Sequence, residues 1–503
     1  MNSKNELKNR TLFFGDNLQV IEEKIPDEFF NLIYLDPPFN SNRNYNVLSK
    51  EGEKDSTAQI RAFEDTWEWL GPTVMLFDEL KRSNNPKIAM LISSMYEILG
   101  PTPMMAYLVN MTARLIPLRR VLKETGSIFL HCDPTASHYL KLVMDIIFGP
   151  SNFLNEIVWC YSQGGRSKKW FGRKHDIIFW YSKTNTYTFN YQDITLKYTP
   201  HKQDASGKNY GGRMGVDEEG REYVEKWGTG KKKLYRYYLD EGKIPEDYWT
   251  DINSIQSGAS ERLGYPTQKP EELLERIIKA ASTKGGWVLD PFCGCGTTIS
   301  VSEKLERNWI GIDISMQAVN VIKERMTSHF PTKEVIVDGI PMDFESAQAL
   351  AEKDKFAFQD WAITLVGANP PKGETKKGAD RGIDGIILFR DKVDYANPKL
   401  RKILVQVKGG GVNRGDIAKL KGDIERENAP MGILITLKDP TTEMKRETSL
   451  AGEYRYTEST TFPKIQILSI KDWFEGKEVK IPSDKINPFK RAEEKSDQLS
   501  FLD

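Results

Sequence analysis

An apolar run that passes straight into a turn of Asp, Pro and Gly leaves few folds open, and residues 287–298 contain one. Trp287-Val288-Leu289 is apolar throughout, as a strand covered on both faces must be. Asp290-Pro291-Phe292-Cys293-Gly294-Cys295-Gly296-Thr297-Thr298 follows without a spacer. Gly294 and Gly296 let the backbone turn tightly and approach a ligand before a helix starts at Thr298. A second strand, Trp309-Ile310-Gly311-Ile312, ends in Asp313, roughly 20 positions on, where an acid can accept both hydroxyls of a ribose. The spacing also suits a nicotinamide cofactor, but the full G-x-G-x-x-G is absent because Thr297 and Thr298 come directly after Gly296. A tight turn with no ligand is the bland alternative, and Asp290-Pro291-Phe292 in front of the glycines weighs against it.

The same construction occurs near the N-terminus. Asn31-Leu32-Ile33-Tyr34-Leu35 runs directly into Asp36-Pro37-Pro38-Phe39. Chemistry on an exocyclic amine meets a specific obstacle, because the nitrogen lone pair is delocalised into the ring. Two acceptors that grip the two amine hydrogens make the nitrogen more tetrahedral. The Asp36 carboxylate is one such acceptor, and the carbonyl of Pro37, held by the fixed φ of proline, is the other. Phe39 offers a flat face on which an extruded base can stack. Transfer is then a direct in-line displacement that rests on positioning. Asp36 need not be a strong base beforehand, since the proton turns acidic only as the new bond forms. Alone, Pro-Pro would be an ordinary strand exit; the buried strand before it and the glycine turn downstream favour the pocket.

The chain has 503 residues, enough for two to four domains, and 39% of them are hydrophobic, which supports packed cores. Lys+Arg and Asp+Glu are both 71, so any nucleic-acid surface has to be local. The four cysteines, Cys132, Cys160, Cys293 and Cys295, make neither a disulfide framework nor paired zinc half-sites, and they fit a reducing cytoplasm. The polar start and the absence of a long apolar run imply neither a signal peptide nor a membrane span.

Strand and helix patterns alternate through 11–132 and again through 271–313, which predicts a doubly wound α/β sheet. Residues 161–262 differ: Gly, Lys, Arg, Trp and Tyr interleave with poor periodicity, as in Lys231-Lys232-Lys233-Leu234-Tyr235-Arg236. This stretch reads as an insertion that touches nucleic acid, the alternative being a solvated loop region.

Taken in order, Gly15-Asp16-Asn17, Asp36-Pro37-Pro38-Phe39, Ala62-Phe63-Glu64-Asp65-Thr66-Trp67, Gly126-Ser127-Ile128-Phe129-Leu130-His131-Cys132-Asp133, Tyr265-Pro266-Thr267-Gln268-Lys269-Pro270 and the 290–298 turn resemble the amino-group DNA methyltransferases. The resemblance is to the circularly permuted beta class, in which the catalytic motif precedes the cofactor motif. It implies S-adenosylmethionine as cofactor, held by Asp290, Phe292, Gly294, Gly296, Thr297 and Asp313, with Asp16 near its adenine and Lys269 helping to close its pocket. It implies double-stranded DNA with a flipped base as substrate, target recognition within 161–262, and a place in the cytoplasm on nucleoid DNA. Asp rather than Ser before Pro-Pro favours adenine N6 over cytosine N4. A 5-methylcytosine enzyme would need a Pro-Cys nucleophile, and no proline precedes a cysteine here.

The methyltransferase domain is expected over 1–345, a second domain over 346–482 and a polar tail over 483–503. In the second domain, 383–389 and 402–408 read as a hairpin folding about Tyr395, which sets Asp384 opposite Gln406 and puts Gln406 and Lys408 on one face. Asp384 and Gln406 could hold Mg²⁺ while Lys408 orients an attacking water. With Asp380 and the elements that follow, this resembles an Mrr-type PD-(D/E)xK nuclease, implying a bifunctional restriction–modification protein; the alternative is a domain that only binds DNA. Gln498-Leu499-Ser500-Phe501-Leu502 resembles a peptide bound by replication sliding clamps. The sequence leaves the oligomeric state open, a homodimer included.

Overall fold

The computed structural model describes residues 7–38, 44–48, 59–64, 67–161, 168–197, 213–227, 233–256, 258–265, 267–371, 382–391 and 399–485, with the backbone alone at 44–48 and 59–64. Phe39, Asp65, Thr66, Pro266, Asp380, the turn at 394–398 and the tail motif at 498–502 lie outside the described residues.

Among the described residues the larger sheet has nine strands: β1 (Thr11–Phe14), β2 (Phe30–Leu35), β3 (Leu122–Cys132), β4 (Phe153–Cys160), β5 (His175–Ser182), β6 (Tyr248–Trp249), β7 (Trp287–Asp290), β8 (Asn308–Asp313) and β9 (Ile336–Asp338). They lie in the order β6-β4-β5-β3-β2-β7-β8-β1-β9. From β3 to β9 every pairing is parallel. β5 is antiparallel to both β3 and β4. The apolar runs explain the central strands: Leu32, Ile33, Leu35, Val288 and Leu289 are 0–1% exposed, because helices cover both faces.

Helices α1 (Asn17–Lys24) and α2 (Pro103–Val121) serve the first half of this sheet. α2 starts sharply at Thr102, whose hydroxyl accepts from Met105 N, with Pro103 in the first helical position. It is buried almost all round, which fits its weak amphipathic pattern. Helices α3 (Glu271–Ala281), α4 (Thr297–Lys304) and α5 (Met316–His329) serve the second half.

One expectation is corrected. The stretch 161–262 is not wholly an insertion, since β5 and β6 lie within it and belong to the main sheet. Ile177-Ile178-Phe179-Trp180-Tyr181 is a continuous apolar run, and β5 buries it between β3 and β4. The remaining part carries a separate three-stranded sheet of Arg213–Val216, Glu222–Trp227 and Leu234–Tyr238.

Two helices, α6 (Phe344–Lys353) and α7 (Lys355–Thr364), lead to a four-stranded sheet of β10 (Gly385–Asp391), β11 (Lys399–Lys408), β12 (Met431–Thr436) and β13 (Ile465–Ser469), in that order. Helix α8 (Arg414–Arg426) packs beside it, started by a capping box of Asn413 and Asp416. Phe14, Trp309, Met316 and Ile322 share one buried cluster with Phe358, Trp361, Ile387 and Ile403. No helix among the described residues is long and apolar enough to cross a membrane.

Candidate active site

Four acids stand at the carboxyl ends of four neighbouring parallel strands. Asp36 follows β2, Asp290 ends β7, Asp313 ends β8 and Asp16 comes two residues after β1. Val288 pairs with Leu32 and Leu289 with Ile33, so β2 and β7 deliver Asp36 and Asp290 to the same edge of the sheet. Open α/β sheets bind ligands in the crevice outside this edge.

Asp36 is clamped. Lys269 Nζ donates to its Oδ1 at 2.8 Å and to its Oδ2 at 2.6 Å, with the side chains 9% and 17% exposed. Lys269, expected to help close the cofactor pocket, thus reaches Asp36, and the backbone just before it carries Thr267 at φ +62°. Behind Asp36, the buried Tyr34 hydroxyl is 2.9 Å from His131 Nδ1, and His131 Nε2 is 3.2 Å from Asp176 Oδ2. Burial, followed by the charge of Asp36, holds the Tyr34 phenol well above its ordinary range. On the other side, Trp67 Nε1 donates to the Pro38 carbonyl at 3.3 Å.

The glycine turn is shaped as the sequence predicts. Gly294 has φ +49° and Gly296 φ +74°. A Cβ at Gly296 would lie 2.7 Å from Ile322 Cγ1, so helix α5 needs glycine there. Gly294 N donates to Asp313 Oδ2 at 2.8 Å and Ser315 N to Asp313 Oδ1 at 2.8 Å. Burial pushes the Asp290 carboxyl up to about 7 and Asp313 to about 6; the Thr298 side chain and the Phe292 amide partly counter this at Asp290, the Ser315 and Gly294 amides at Asp313, and neighbouring carboxylates add to it. Arg325 holds the far side of the turn through the Cys295 carbonyl and Thr297 Oγ1, both at 3.3 Å. Cys293 and Cys295 are buried free thiols.

Asn17 and Arg114, the latter a residue that the sequence gave no reason to single out, join the two loops. Asn17 Nδ2 donates to the Pro291 carbonyl at 2.7 Å. Arg114, buried on α2, donates to Asn17 Oδ1 at 2.6 Å and to Asp16 Oδ2 at 2.9 Å, and its guanidinium lies 5.5 Å from the Trp67 ring centroid. Asp16 also caps α1 through Leu18 N at 2.8 Å. Arg114 has a helical neighbourhood of ordinary apolar residues, so only the tertiary structure singles it out.

Residues 30–324 match the DNA methylase family that modifies N6 or N4 amino groups. The chain belongs to this DNA methylase family. Among curated relatives, the type II methyltransferase M.EcaI of Enterobacter cloacae is 28% identical over 261 residues, covering 44% of this chain and 57% of its own. M.BglII of Bacillus subtilis is 31% identical over 229 residues, covering 44% and 56%. The DNA adenine methyltransferase YhdJ of Escherichia coli is 26% identical over 330 residues, covering 65% and 86%. The chain thus spans little more than half the length of the first two. A solved structure, PvuII DNA methyltransferase (cytosine-N4-specific), aligns with a TM-score of 0.36 and 14% identity over 63% of this chain and 85% of its own.

The chain carries a second match: residues 371–465 resemble the NACHT-associated inactive Restriction Endonuclease 1 family. There Gly385 pairs with Val405, which sets Asp384 across from Gln406. The Asp384 carboxylate accepts from Val407 N at 2.6 Å. Gln406 is 2% exposed and donates through Nε2 to Asp423 Oδ2 at 2.5 Å, leaving its Oε1 without a hydrogen-bond partner. Arg426 pairs with the other oxygen of Asp423 at 2.5 Å, and Lys408 faces Asp416 at 3.6 Å. Asp384, Asp416 and Asp423 each already have a donor or counter-ion, and the ligand opposite Asp384 is an amide where a carboxylate would be expected. This set does not fit a divalent ion, which wants several free oxygen ligands.

Proposed function

We propose that the chain methylates the exocyclic amine of a base in DNA, adenine N6 rather than cytosine N4, using S-adenosylmethionine, and that its second domain engages DNA without cutting it. The observation that carries this reading is the row of Asp36, Asp290, Asp313 and Asp16 on four adjacent strand ends. S-adenosylmethionine supplies an electrophilic methyl on a cationic sulfur. An acid-lined crevice suits that cation, Asp313 suits its ribose, and the positive-φ glycine turn lets the backbone approach it. The order of the two motifs supports the permuted class, and Asp before Pro-Pro supports adenine.

In this reading a flipped base enters beside β2. Its amine donates one hydrogen bond to Asp36 and one to the Pro37 carbonyl. Lys269 keeps the carboxylate aimed and neutralised until the base arrives. After transfer the amine nitrogen bears a surplus proton, and Asp36 is the base in its path. Target choice falls to the three-stranded sheet within 213–238, where Trp227, Tyr235 and Tyr237 are exposed and Lys226, Lys233 and Arg236 lie over tyrosine rings. The paired polar groups of the second domain, and the family it matches, favour binding over cleavage.

Long-read mapping of modified bases in DNA from cells expressing the chain tests the proposal. Methylated adenine in one fixed sequence context is expected. N4-methylcytosine would replace the base assignment, and unmodified DNA would remove the proposal.

A further inference from the structure

We propose that Asp360, on the junction helix α7 that leads into the second domain, is a positioning residue of the cofactor pocket. The inference rests on the reading of the glycine turn as an S-adenosylmethionine site.

Three observations carry it. First, Asp360 Oδ2 accepts from Met316 N at 3.0 Å. Met316 N is the first amide of α5, one of the orphan donors that every helix start must satisfy. A carboxylate there also meets the positive end of the helix. Second, that helix start is the floor of the ribose loop. Ile314 and Ser315 link Asp313, the end of β8, to α5; Ser315 N donates to Asp313 Oδ1 at 2.8 Å, and Ser315 Oγ accepts from Ala318 N at 3.4 Å. Fixing Met316 N therefore fixes the last turn of backbone that aims Asp313. Third, α7 is rigidly held. Phe358 and Trp361 are 2% and 1% exposed, and Trp361 meets Trp473 at 6.2 Å and Phe474 at 6.4 Å between ring centroids. A Cβ added to Gly409, the residue after Lys408, would lie 3.3 Å from Phe358 Cδ1. One helix thus touches the start of α5 on one side and the end of β11 on the other.

The second domain, in this account, completes the cofactor site of the first. Free S-adenosylmethionine titrated calorimetrically into the full chain and its variants tests this. Asp360→Ala should weaken binding about tenfold, and Asp360→Asn, which keeps an oxygen acceptor, should recover most of the loss. Ala362→Gly lies two residues on in the same helix, about 200° round its axis from Asp360, and should lower the melting temperature while leaving affinity within about twofold. Unchanged affinity in Asp360→Ala overturns the inference. So does an Ala362→Gly chain, matched to Asp360→Ala in melting temperature, that binds as weakly. Failure of the unaltered chain to bind S-adenosylmethionine would instead remove the methyltransferase reading itself.

Discussion

Lys269 Nζ reaches both carboxylate oxygens of Asp36, at 2.8 and 2.6 Å, across 233 residues of sequence. Neither side chain is more than one-fifth exposed, so each depends on the other for solvation. Asp36→Ala should abolish methyl transfer while S-adenosylmethionine still binds. Lys269→Met should cost about 2 kcal/mol of stability, because it strands a half-buried charge. Asp36→Asn combined with Lys269→Met should recover part of that loss. Urea unfolding of Asp36→Asn, Lys269→Met and the double variant gives the coupling; additive losses would show that the contact carries no energy.

On the proposed reading, the acids Asp290 and Asp313 should make affinity for S-adenosylmethionine depend on pH. Asp290 is held up to about 7 and Asp313 to about 6, mainly by burial. A neutral carboxyl attracts a cationic ligand weakly, and an ionised one strongly. Binding should therefore tighten as pH rises from 6 to 8 and should release protons on the acidic side of that window. Calorimetry in buffers of different ionisation enthalpy counts those protons. Asp290→Asn should flatten the upper part of the profile, and a flat profile in the unaltered chain would refute the assignment.

Gly296→Ala places a Cβ at φ +74° and 2.7 Å from Ile322 Cγ1. The expected cost is about 2 kcal/mol or more, shared between left-handed strain and overpacking. Because α5 has to move to relieve it, affinity for S-adenosylmethionine should fall as well. Thermal unfolding with and without the ligand separates the two effects.

The sheet and its two acid-bearing turns were legible because they are local: an apolar run, a breaker and glycines at fixed spacing. The hairpin pairing of Asp384 with Gln406 was legible for the same reason, as counting about the turn sets the register. What escaped the sequence depends on distant packing. β5 sits among basic and aromatic segments that hid its apolar run. Lys269 reads as part of a cofactor motif, and only the fold turns its ammonium onto Asp36. Asp423 lies 17 residues from Gln406, on a helix with nothing unusual in its composition, yet it receives that amide.

The second domain yields a simple negative expectation. With Mg²⁺ and unmethylated DNA, the unaltered chain should leave the duplex intact while still retarding it on a gel. Lys408→Ala should change neither outcome. Cutting by the unaltered chain that disappears in Lys408→Ala would reverse the reading and restore a working nuclease.

Arg114 ties Asp16 and Asn17 together, Asn17 holds the Pro291 carbonyl, and Trp67 spans from the guanidinium to Pro38. On the proposed reading, one buried cation thus ties the loop that holds the methyl donor to the loop that receives the base. The gap a methyl must cross is then established when the chain folds, and neither ligand has to spend affinity on setting it.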